Sequence, residues 1–154
     1  KILEELHVPF IINQNRYSIF DRTIENNGLK DMAAKLKKGI ISFSPLAQGL
    51  LTDRYLNGVP SDSRIATDGR FLKTDNLTDK KLNAIRELNE IAKSRNQSLA
   101  QMALAWVLKD DIVTSVLIGA SKAEQVLDNI AAIRNIEFCD EELEKIDKVV
   151  KDNE

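Results

Sequence analysis

Three short runs of nearly continuous apolar, β-prone residues divide the chain: Val8–Asn13 (VPFIIN), Gly39–Phe43 (GIISF) and Thr114–Ile118 (TSVLI). Runs of about five residues without polar alternation are what parallel strands buried on both faces require. Between them the periodicity is helical. Leu29–Lys38 sets Leu29, Met32, Ala33 and Leu36 on one face and stops at Gly39. Leu77–Asn96 spaces Leu82, Ile85, Leu88, Ile91 and Ala92 by three and four residues, and Met102, Ala105, Trp106 and Leu108 continue the pattern in a second helix. Short strands alternating with helices argue for βα units joined by right-handed crossovers.

Helix starts carry their own signals. Ser98-Leu-Ala-Gln101 has the form of a capping box, and Ser121-Lys-Ala-Glu124 repeats it. Asp140-Glu-Glu-Leu opens a last helix, Glu141–Val150 within the closing segment 140–154, with acids in its first turn and lysines late. The opening KILEELHVPFII reads as a helix tail entering a strand and begins at Lys rather than Met, so the chain reads as a piece of something longer. Three strands alone would leave two open parallel edges, and a half-barrel is the simplest arrangement that explains them.

With 154 residues the chain has material for one domain, and a net charge of −2 gives no reason to expect a nucleic-acid or anionic-membrane partner. Cys139 is the only cysteine, which excludes an internal disulfide and a thiolate metal cluster and suits a reducing cytoplasm. His7 is the only histidine and has no partners at metal spacing, so it reads as a helix-end or surface residue. No run approaches the roughly 18 apolar residues that span a bilayer.

Three places could meet a ligand. The stretch 44–76 carries Pro45, Gly49, Gly58, Pro60 and Gly69 with no strand pattern. It leaves the C-terminal end of a strand, where α/β barrels keep their sites. Its Arg54 and Arg64 are either solvated or able to grip an anion. Asn13-Gln14-Asn15 brings three amides to a strand end. Gly119-Ala120-Ser121 allows two readings, a plain helix cap or a phosphate-binding turn extended by Lys122 and Gln125. No hydrolase, zinc-protease, Walker or dinucleotide fingerprint is present. Tyr17 and Tyr55 are the only tyrosines, and neither has a Lys–Asp–His context suited to proton donation.

INQNRYSI, SFSPLAQGLLTDRYLNGVPSDSR and TSVLIGASKAEQVLDN, in that order, resemble the aldo-keto reductases. The resemblance extends through SLAQMALAWVLKDD and the closing helix, and leans to the bacterial L-glyceraldehyde 3-phosphate reductases and the β-subunits of voltage-gated potassium channels. It implies an α/β fold, the C-terminal half of a (β/α)8 TIM barrel, with strands six to eight and their helices over residues 1–154. It also implies NADPH as cofactor and a small aldehyde as substrate, in the cytoplasm, with room for a homo-oligomer.

By the same resemblance Gln14 holds the nicotinamide carboxamide and Phe43 stacks on its ring. Ser44, Pro45, Leu46 and Ala47 line the pyrophosphate under the covering loop 44–76. Arg54 replaces the usual lysine of a Gly-Lys pair, and Arg64 matches a second loop cation. Gly119, Ser121, Lys122 and Gln125 take the 2′-phosphate and its ribose. Asp128, standing where Glu is usual, and Asn129 take the adenine. The family's catalytic Tyr, Lys, Asp and His belong to strands outside this sequence, so the chain alone is expected to be inactive. The rival expectations are a non-enzymatic nucleotide-sensing subunit and a self-associating half-barrel.

Overall fold

The computed structural model describes residues 2–56, 58–60 and 77–153. Its helices are α1 (Ile2–Glu5), α2 (Thr23–Asn26), α3 (Leu29–Lys35), α4 (Asp79–Ser94), α5 (Leu99–Leu108), α6 (Ala123–Ile130) and α7 (Asp140–Asp152). The strands are β1 (Ile12–Arg16), β2 (Gly39–Phe43) and β3 (Val113–Val116), all parallel and in the order β1-β2-β3.

Pairing runs from Ile12↔Gly39 to Arg16↔Phe43, and from Ile40↔Val113 to Ser42↔Val116 with an irregularity between Ile40 and Ile41. Gly39 is needed where strands meet, because a Cβ there would sit 2.8 Å from the Thr114 hydroxyl and 3.1 Å from Ile12 Cδ1.

Two strand positions differ from the sequence expectation. The first ladder is Ile12–Arg16, not Val8–Asn13. The third is Val113–Val116, not Thr114–Ile118. Both follow from how the sheet is covered. Ile40, Ser42 and Val113 are buried on one face, whereas Ile12, Gln14, Arg16 and Ser115 are exposed on the other. Helices of this chain cover only that first face. An apolar run therefore overestimates where pairing starts and misses a strand that is polar on its open side.

The core lies between the covered face and the helices. Trp106, Tyr17, Tyr55, Ile19, Ile85, Leu88, Met102 and Ile146 are all at most 1% exposed. Burying such a side chain stabilises by roughly 1.5–3 kcal/mol. Helix α4 ends in a Schellman turn: Asn96 N–H donates to Lys93 O and Gln97 N–H to Ala92 O, with Asn96 at φ 54°. Arg95 then ties this corner to α7, stacking 3.6 Å from the Phe138 ring and pairing with Glu142 at 2.5 Å. Its other donors reach Gln97 Oε1, Asn135 O and Glu137 O.

The capping box forms at Ser98, where Gln101 N–H donates to Ser98 Oγ and Ser98 N–H to Gln101 Oε1. The repeat at Ser121 does not form. Helix α6 starts later, with Lys122 at its N-cap and no side-chain cap. Helix α3 is shorter than Leu29–Lys38, and its apolar stripe is only partly used: Ala33 is buried while Met32 and Leu36 are exposed.

A candidate cofactor-binding face

Parallel strands deliver all their C-terminal ends to one side of the sheet, and α/β proteins bind ligands there. In this chain those ends are Gln14 to Arg16, Phe43 to Ala47, and the turn from Gly119. Because side chains alternate along a strand, the three amides do not share a cleft. Gln14 is exposed on the open face, while Asn13 and Asn15 lie half-buried on the other and hydrogen-bond to each other. Phe43 is half-buried on the Gln14 face, opposite Arg16, whose guanidinium carbon lies 5.8 Å from the ring centroid.

Beyond Phe43 the backbone is under strain. Ser44, Ala47 and Gln48 have φ of 53°, 47° and 64°, the left-handed region that costs an L-residue roughly 1–2 kcal/mol. Three such residues within five positions mark a loop whose shape is held for a purpose other than local comfort. Pro45, Leu50, Leu51 and Tyr55 are buried and anchor it, with single 3-10 turns at Ala47–Gly49 and Asp53–Tyr55. The first part of the long loop is thus packed onto the core. Leu46 and Ala47 are half-buried, and Arg54 is exposed in the second turn. Arg64 and the rest of the covering segment lie outside the described residues.

At the third strand end, Gly119, Ser121, Lys122 and Gln125 are all exposed. A Cβ at Gly119 would meet nothing within 4 Å, and its backbone has no positive φ, so nothing inside the chain demands glycine there. Ser121 N–H and Oγ both reach Gln125 Oε1, at 2.8 and 3.2 Å, which preforms the turn in place of the absent capping box. Asp128 is already engaged: its carboxylate accepts from Gln101 Nε2 at 2.6 Å and Ser98 Oγ at 3.4 Å. Asn129 is buried beside it.

A polar cluster elsewhere was not visible in the sequence. The Tyr17 hydroxyl donates to the Glu25 carboxylate and accepts from Lys30 and Lys109 Nζ at 3.0 and 3.1 Å, with Asp110 on Lys30 at 2.5 Å. Tyr17 therefore does have lysines and carboxylates around it, contrary to the sequence reading. It is nonetheless no proton donor to a substrate, because it is fully buried. Burial, then the Glu25 carboxylate, push its hydroxyl far above the ordinary tyrosine range. Burial and neighbouring Lys30 hold Lys109 down to about 8.

Two open clefts, of about 370 and 530 Å³, are lined by none of the candidate site residues above. One sits at the N-terminal ends of β2 and β3, around Lys38, Gly39 and Asp111; the other lies between the β1–α2 connection and α7. Among the described residues no group of His, Cys, Asp and Glu could hold a metal ion, and no helix is long and apolar enough to cross a membrane.

The chain is 48% identical over 157 residues to the L-glyceraldehyde 3-phosphate reductase of Escherichia coli K12, covering 100% of this chain and 45% of that protein. It is 34% identical over 144 residues to a probable voltage-gated potassium channel subunit beta of Oryza sativa subsp. japonica, covering 92% and 44%. The chain thus spans about half the length of the curated relatives it matches.

Among solved structures, a glycerol dehydrogenase from Gluconobacter oxydans superposes with a TM-score of 0.76 at 26% identity, over 97% of this chain and 46% of that one. An aldo-keto reductase from Bacillus halodurans gives 0.70 at 23%, over 96% and 46%, a likeness of fold alone. The three βα units therefore correspond to about half of a (β/α)8 barrel. The aldo/keto reductase family model matches residues 1–151, and the chain belongs to that family.

Proposed function

We propose that this chain is the NADPH-binding half of a cytoplasmic aldo-keto reductase that reduces small aldehydes, glyceraldehyde 3-phosphate among them. The observation that carries this reading is the placement of Gln14, Phe43 and the Gly119–Gln125 turn at the C-terminal ends of three adjacent parallel strands.

The residues present fit such a cofactor. The Gln14 carboxamide both donates and accepts, as pairing with another carboxamide requires. The Phe43 ring offers a flat apolar surface that keeps water from one side of a stacked heterocycle. Lys122 and the exposed turn before α6 supply a cation and the partial positive charge of a helix start to a phosphate. The open space around Gly119 lets a phosphate approach the backbone closely. Bound there, NADPH supplies a hydride to a carbonyl carbon.

The carbonyl oxygen then needs a proton, and the described residues of this face hold no group placed to give one. Tyr17, the tyrosine with lysine neighbours, is sealed in the core. We therefore expect the chain alone to be inactive and to bind NADPH weakly, because only one wall of the cleft is present. Fluorescence titration of this chain with NADPH tests the second point, and micromolar affinity would contradict it. Steady-state NADPH oxidation by this chain, beside the protein carrying both halves, tests the first, and turnover by the chain alone would contradict it. Turnover with an aldehyde supports a reductase, whereas binding without turnover favours a nucleotide-sensing subunit.

Exposed Ile11, Leu127 and Ile133, at 77%, 70% and 62%, favour a second property, self-association through uncovered apolar surface. Sedimentation of the chain decides it, and a clean monomer rejects it.

A further inference from the structure

We propose that Arg16 recognises an anionic group, phosphate or carboxylate, on the substrate presented to this face; the proposal rests on the reductase reading above and names the substrate class that the same site selects. Arg16 closes β1 two residues after Gln14, so both side chains stand on the open face. It is exposed, and its guanidinium is steered by the Phe43 ring opposite it. Among the described residues it has no carboxylate within 4.0 Å. The two more buried arginines differ: Arg22 pairs with Asp147 and Arg95 with Glu142. An arginine held over an aromatic ring with its edge donors unused is arranged to receive a planar or tetrahedral oxyanion from outside.

The position also separates this anion from the cofactor's phosphates. The Gly119–Gln125 turn follows β3, which lies on the far side of β2 from β1. Two strand spacings put roughly 10 Å between the two edges. Phe43 on β2 sits between them and Gln14 shares β1 with Arg16, so the nicotinamide is expected beside Arg16 rather than beside the turn. A carbonyl compound lying on the nicotinamide face turned away from Phe43 is therefore beside Arg16, and a phosphate two or three atoms from its carbonyl would reach the guanidinium. The polar groups of β1 and β3 on this face, Gln14, Thr114 and Ser115, are neutral, so among the strand residues described Arg16 is the one that brings charge there.

The test uses the full-length protein and two aldehydes of one carbon skeleton, glyceraldehyde 3-phosphate and glyceraldehyde. In Arg16→Met, which keeps apolar contact with Phe43, the ratio of kcat/KM for the phosphorylated over the uncharged aldehyde is expected to fall roughly 10- to 100-fold, through KM. Arg16→Lys, a point charge without the bidentate fork, should recover part of that ratio. An unchanged ratio overturns the proposal. So does a rise in the KM for NADPH that is equal with both aldehydes, because it would assign Arg16 to the cofactor. If the wild type oxidises NADPH with neither aldehyde, the reductase reading fails. Arg16 is then judged by the NMR resonance of its side-chain Nε–H in this chain. A shift on adding glyceraldehyde 3-phosphate but not glyceraldehyde supports the anion site, and no shift rejects it.

Discussion

Lys109 sits where a cation is costly, and removing it should stabilise the fold. Its ammonium lies 3.6 Å from the Trp106 ring centroid and donates to Tyr17 Oη and Trp106 O, with the Glu25 carboxylate at 3.8 Å. Lys30 claims the same phenol oxygen and pairs with Asp110 at 2.5 Å. Burial, then the Lys30 charge, lower Lys109 from 10.5 to about 8, against the pull of Asp110 and Glu25 and with a smaller push from Arg22.

Below pH 8 the amine is charged in both the folded and unfolded chain, and the folded state bears the full cost. Between about 8 and 10.5 the unfolded chain holds a proton that the folded one has released, so stability rises with pH in that window. From pH 7 to 10 the gain is about 2 kcal/mol. Above pH 10 it is opposed by Tyr17, which stays protonated only when folded. Lys109→Met removes a penalty of about 3 kcal/mol together with two hydrogen bonds of about 1 kcal/mol each, leaving a net gain of about 1 kcal/mol at pH 7. Its stability should then no longer climb between pH 8 and 10. Urea unfolding followed by far-UV circular dichroism and by Trp106, the only tryptophan, measures both quantities. A variant that loses stability at pH 7 and keeps the wild-type pH slope would refute the reasoning.

Asn96→Gly should raise stability by about 0.5 kcal/mol in the same assay, since the Schellman turn holds φ at 54° and glycine adopts it without a Cβ penalty. Arg95→Met should cost about 3 kcal/mol, because it leaves Glu142 and the carbonyls of Asn135 and Glu137 without their shared donor; a loss under 1 kcal/mol would show that water replaces the guanidinium freely.

Much of this organisation was legible in the chain, for identifiable reasons. Helices α4 and α5 were readable because their apolar positions recur with the helical period and Ser98 and Gln101 cap each other locally. β2 was readable because, as the central strand, it is apolar on both faces, with Ile40 on the covered one and Ile41 and Phe43 on the other. β1 was displaced because only one of its faces meets helices, so its polar Asn-Gln-Asn end looked like a strand terminus. The Ser121 box failed because Gln125, one position beyond the expected Glu124, captured the serine. Nothing local could reveal the Tyr17 cluster, whose lysines stand 13 and 92 residues away in sequence. Gln14, Phe43 and Gly119 were proposed for the cofactor through strand ends and resemblance, whereas proposing Arg16 needed the register that sets it against Phe43.

The bond between Asp128 and Gln101 has a mechanical consequence. It joins residues 27 apart, and Ser98 to Asp128 spans 30, so α5, β3 and α6 form a loop latched at its own beginning. The turn at Gly119–Ser121 hangs inside that closed loop. For it to swing out with α6, Asp128 must give up Gln101 Nε2 and Ser98 Oγ, and Asn129 must leave its buried position. A ligand bound at the turn, as proposed above, should therefore be felt as added rigidity at the start of α5.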